Sequence, residues 1–148
     1  MQSSPTTPNG NAARGATGPI VAALSDVLRS EARLLRELAI VMHSQKEALA
    51  STDTQAVEDS VYAIHRVLHT LSTARERRRS INRILTSSAE VGIGEFERVL
   101  GAEMTPELKA ACDDLRTSAD ELGGMLDDTW LALRTAASAH SGPDNVTG

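Results

Sequence analysis

His65 and His69 stand four residues apart, the spacing that puts two imidazoles on one face of a helix and within reach of one metal ion. Only Glu58 and Tyr62 share that face, and no further His or Cys is placed to complete a coordination shell, so no metal is expected. The sole cysteine, Cys112, lies on an apolar stripe with Leu108 and Leu115 and reads as a small core residue rather than a nucleophile. A lone thiol forms no internal disulfide, which agrees with a reducing compartment. The acid pairs Asp113-Asp114 and Asp127-Asp128 point away from that stripe and read as solubilising charge, not as an acid and a base in an apolar setting. A Gly-rich phosphate loop and a Ser/His/Asp order are both missing, so neither catalysis nor a cofactor is expected.

Arg75, Arg77, Arg78, Arg79 and Arg83 form the one basic concentration in a chain of net charge −5. On a helix they spread around most of the circumference, as a solvated surface that pairs with acids of the last helix or docks an acidic partner. Nucleic acid is not expected, because interleaved aromatic residues and overall positive charge are both lacking.

The elements that hold these residues are helices. Leu24, Leu28, Leu35, Leu38, Met42 and Leu49 recur at three- and four-residue steps, with Glu31 and Gln45 in the two polar seam positions. A first helix is expected from Pro19 to about Ala50, a turn at Ser51-Thr52-Asp53 with Thr52 or Asp53 as cap, and a second helix to Leu85. The seam of the second helix reads Val57, Val61, Ile64, Leu68 and Leu71, then passes through Ala74 and Arg78 to Ile81 and Leu85. A turn this short makes the pair antiparallel, each helix satisfying the other's seam. Gly92, Gly94 and Gly101 break the pattern around a short apolar piece at Phe96, Val99 and Leu100, and Thr105-Pro106-Glu107 starts a third long helix. The seam of this helix is Leu108, Cys112, Leu115, Ala119, Leu122, Leu126, Thr129 or Trp130, and Leu133.

The fold class is therefore all-α: a long antiparallel hairpin, a short connector helix and a third long helix, in one domain spanning 19–140. Residues 1–18 form a disordered arm and 141–148 a disordered tail on composition. Gly123-Gly124 should cost its helix about 2 kcal/mol against alanine and act as a hinge. Neither a signal peptide nor a membrane-spanning stretch is recognisable, so a cytoplasmic protein without stable membrane insertion is expected.

From Glu37 to Leu85 the chain resembles the FlgN-type flagellar export chaperones: a Leu-rich seam, Glu47 with Leu49 or Ala50 before the turn, Asp53, then Val57, Leu68 and Leu71 closing on the Arg75 to Arg79 cluster. Gly92, Glu95, Phe96, Val99 and Leu100 are similar to the glycine and short apolar helix that precede the last helix in that family. The resemblance implies a cytoplasmic chaperone for hook-filament junction proteins that keeps them from assembling early and delivers them to the export gate. Recognition would be helix-in-groove, and the expected client surface is Leu115, Leu122, Leu126, Trp130 and Leu133, with Trp130 as an aromatic anchor in an aromatic-poor chain.

Two other classes compete. Leu68-His69-Thr70-Leu71 resembles the histidine phosphotransfer domain, yet Ser72 and Thr73 stand where that motif places the Lys that neutralises the phosphoryl group and the Gly that keeps it accessible. A homo-oligomeric coiled coil, a homodimer included, would use the same heptads against copies of itself.

Overall fold

The computed structural model describes residues 9–141, with the side chains of 17–138 except 133 and 136. Among the described residues there are four α-helices: α1 (Asn9–Ser51), α2 (Thr54–Thr86), α3 (Phe96–Leu100) and α4 (Pro106–Ser141). The all-α expectation holds, and the connector carries α3 between two 3-10 turns, Ile93–Glu95 and Gly101–Glu103. Helix α1 runs through Pro19 back to Asn9, well ahead of the start expected at Pro19. A proline ring presses on the carbonyl four residues earlier, here that of Gly15, and leaves that carbonyl without its helical N–H donor. The outer parts of the expected arm and tail, 1–8 and 142–148, lie outside the described residues.

The turn after α1 is made by Thr52 in the left-handed region (φ 58°). Asp53, not Thr52, caps α2, its carboxylate accepting from the Ala56 N–H at 3.1 Å. Thr105 caps α4 in the same way, accepting from the Leu108 N–H at 3.1 Å. In the connector Gly101 adopts φ +53°, ψ −114°, a conformation that a side chain would penalise.

Helix α1 packs against both α2 and α4. Its sequence explains how, because it carries two apolar stripes. The one read from Leu24 to Leu49 is joined by Val27, Leu34, Val41 and Ala48 at seven-residue intervals; three of these four are buried and Val41 is half-buried. Leu34 and Val41 lie beside Ala63 and Val67 of α2. Arg36 reaches Asp114 near the start of α4, whereas Met42 to Leu49 lie across from Glu121 to Ala132, so α1 and α4 run parallel. The short turn makes α2 antiparallel to both.

The register of α2 differs from the expected one. Its buried and half-buried line is Ser60, Ile64, Val67, Leu71, Ala74, Arg78, Ile81 and Leu85, a strict four-three heptad, while Val61 and Leu68 are largely exposed. Two polar residues hold heptad positions in it. Ser60 donates to its own Val57 carbonyl at 2.6 Å, and Arg78 meets the one charge on the facing seam, Glu31.

The core gathers where the connector folds over the bundle. Leu24, Leu28, Phe96 and Leu108 are wholly buried there, joined by Val21, Leu71, Ile81, Leu100, Ala111 and Leu115. Full burial of each large side chain contributes about 1.5–3 kcal/mol, and Phe96, the only phenylalanine, plugs this end.

Candidate binding groove

Leaving the connector end, the seam of α1 passes from buried Leu35 and Leu38 to half-buried Met42 and Gln45 and then to Leu49, which is 60% exposed. The facing stripe of α4 runs Leu108, Ala111, Leu115, Ser118, Leu122, Met125, Thr129 and Ala132, again at alternating threes and fours, and it too is buried only as far as Leu122. Beyond that point the helices part. They leave a groove of about 670 Å³ whose apolar lining is Met42, Leu49, Met125 and Ala132, with Gln45 and Thr129 among its polar groups. Lys46 and His43 edge it on α1, and Glu121 and Asp128 on α4.

Of the five residues expected to form the client surface, Leu115 and Leu122 are buried in the core, 3% and 8% exposed. Leu126 and Trp130 are 40% and 66% exposed, on the α4 face adjoining the groove. That face is one the bundle covers elsewhere: Trp130 lies eighteen residues, or five turns, beyond buried Cys112. The side chain of Leu133 lies outside the described residues. Trp130 and Leu131 border a second, shallower hollow of about 480 Å³ with Asp127 and Arg134.

Helix α4 is continuous through Gly123 and Gly124, with no break at the expected hinge. A Cβ added at either glycine would meet nothing within 4 Å, so the packing of this chain does not require them, and Gly124 lines the groove.

The groove residues of α1 are in the expected seam, but the seam faces α4 there and not α2. The overlooked signal is the second stripe, Val27, Leu34, Val41 and Ala48, of which Leu34 and Val41 lie beside α2, while Met42 and Leu49 line the groove towards α4. On α4 the missed residues are Met125 and Ala132. They are legible once Ser118, which accepts a hydrogen bond from Arg36 at 2.8 Å, is allowed a seam position.

The Arg cluster divides. Arg75 and Arg78 approach the buried Glu31 carboxylate at 3.9 and 3.4 Å, and Arg79 pairs with Glu90 of the connector at 2.9 Å and Glu76 at 3.9 Å. Their acids therefore come from α1, α2 itself and the connector, and among the described residues none comes from α4, the helix expected to supply them. The acids of α4 are met from α1 instead, by Arg36 on Asp114 at 2.7 Å. Arg77 and Arg83 remain exposed, outside any ion pair among the described residues. Burial pushes the Glu31 carboxyl above its ordinary range, against the pull of Arg78 and then Arg75.

His65 and His69 are exposed on α2, and among the described residues no three His, Cys, Asp or Glu side chains gather as a metal site. Burial, then the neighbouring Asp113 charge, raise the Cys112 thiol against the opposing pull of Arg116 and Arg78, which keeps it protonated and unreactive. No described helix is long and apolar enough to cross a membrane.

A parallel and an antiparallel helix sharing one central partner, closed at one end and apolar and open at the other, define a helical bundle built around a groove. Residues 20–128, more than half of the chain, match the family model described as FlgN protein, and the chain belongs to the FlgN family, a family of flagellar export chaperones rather than enzymes. No curated protein and no solved structure matches it.

Proposed function

We propose that this chain is a cytoplasmic export chaperone that seats the amphipathic terminal segment of a hook-filament junction protein in the groove between α1 and α4. Binding masks the sticky face of the client, prevents its early assembly and brings it to the export gate. The observation that carries this reading is the groove itself, where two heptad stripes continue past the last buried layer and leave Met42, Leu49, Met125 and Ala132 lining a space of about 670 Å³. An apolar channel between helices is the receptor half of helix-in-groove recognition. Leu126 and Trp130 extend the apolar surface on the adjoining face of α4, and Trp130 is suited to anchor the rim of the complex. Arg77 and Arg83 give an acidic partner, such as a component of the export gate, a separate place to dock.

The test is co-expression with the C-terminal segment of a junction protein from the same organism, followed by size-exclusion chromatography with light scattering. A defined complex is expected, lost on truncation at Leu122 and weakened by Leu49→Glu, a change at an exposed site that leaves folding intact. A stable self-associated rod with no complex would move the assignment to the homo-oligomeric coiled coil.

A further inference from the structure

Resting on the reading that the groove holds a helix, we propose that its two walls select an amphipathic helix whose apolar stripe separates an acidic edge from a basic edge, and fix the direction in which that helix lies. The α1 wall carries Lys46, which has no ion-pair partner among the described residues, and His43, whose Nε2 lies 3.3 Å from Glu47. The α4 wall carries Glu121 and Asp128, neither of them held in an ion pair among the described residues. Opposite charges thus line one groove, yet no described ion pair crosses it. With no described ion pair joining the walls, both signs are available to an occupant.

A helix lying in the groove with its apolar stripe on Met42, Leu49, Met125 and Ala132 turns one polar edge to each wall. Turning it end for end exchanges the edges. A helix with acids along one edge and bases along the other therefore sets its acids against Lys46 and its bases against Glu121 and Asp128 in one direction only. The opposite direction places like charges together on both sides. Each exposed pair is worth at most about fivefold in affinity, so the two directions differ on the order of tenfold. The wall charges thus decide which end of a client segment points towards the connector.

The single tryptophan, Trp130, stands beside the C-terminal end of the groove and serves as a fluorescence donor. The probes are two synthetic helical peptides of about 18 residues, roughly 27 Å long. They share one Leu stripe and one composition; the first has Glu on one edge and Lys on the other, and the second has the two exchanged. Each carries a dansyl acceptor at its N-terminus or at its C-terminus and is added to the full chain. Energy transfer from Trp130 is expected to be stronger from one terminus of the first peptide and from the other terminus of the second. The double variant Lys46→Glu, Asp128→Lys keeps the net charge, inverts the α1 wall and sets the new positive charge against Glu121 on the α4 wall. It should reverse both preferences by a smaller margin, while the peptide exchange itself requires no variant to fold. Raising the salt to about 1 M should narrow the difference. Peptides that bind with equal transfer from both termini, or with the same favoured terminus in both, overturn the proposal and leave the groove reading standing. If neither peptide binds, the groove reading falls and the proposal with it.

Discussion

The two ends of the bundle are made from the same heptads and nearly the same residue types, yet one is sealed and the other is open. At the connector end, α3 brings Phe96 and Leu100 into one core with Leu24 and Leu28, and the side chains of Leu24, Leu28, Phe96 and Leu108 reach zero exposure. At the far end no such cover exists among the described residues, so Leu49, Leu126 and Trp130 stay between 40% and 66% exposed. Heptad pattern fixes which face is sticky, and the connector decides where that stickiness is spent within the chain.

The comparison breaks most visibly at its sealed end. Phe96→Ala removes the plug and should destabilise the fold by about 3–5 kcal/mol, read as a lower urea midpoint. At the open end the largest effect should have the opposite sign: Gly124→Ala adds a Cβ in open space and should raise stability by about 1 kcal/mol. Gly124→Leu would put a side chain into the groove and lower affinity for a client segment while the helix stays intact.

The polar layer between the two ends answers to pH. With its carboxyl raised in the folded state, Glu31 holds its proton more tightly in the folded than in the unfolded chain, so its contribution to stability declines as pH rises above the ordinary carboxylate range. Glu31→Gln lacks that dependence and should gain on the native protein as pH rises above the ordinary carboxylate range, when unfolding midpoints are compared pair by pair. The smallest effect on folding belongs to Trp130→Ala, which should change stability by less than about 0.5 kcal/mol. Its cost should appear in client binding; a large drop in melting temperature would place Trp130 in the core instead.

Much of this architecture is legible in the residues. The caps at Asp53 and Thr105, the glycine-broken connector and the heptad of α1 follow from local rules about backbone donors and side-chain spacing. What local rules miss is rotation. Val61 and Leu68 look like seam residues because they are apolar, but α2 turns Ser60 and Val67 inward in their place, since a serine can bond its own helix. Arg78, already in the expected seam, meets the buried Glu31. The expected client residues Leu126 and Trp130 lie one face over from the groove-lining stripe of Met125 and Ala132. Composition also reads Gly123-Gly124 as a hinge, and the helix runs continuously through both residues.

The hold of Arg36 on Asp114 and Ser118, together with Leu122, clamps α4 to α1 partway along its length. The remainder of α4 is a beam fixed at one end, and from Leu122 to Ser141 it extends roughly 29 Å beyond the clamp. A tilt of only about 5° at that support would carry its tip roughly 2–3 Å, about half the rise of one helical turn. A small rearrangement around Arg36 is therefore magnified along the arm, and the mouth of the groove changes width without the sealed end having to move.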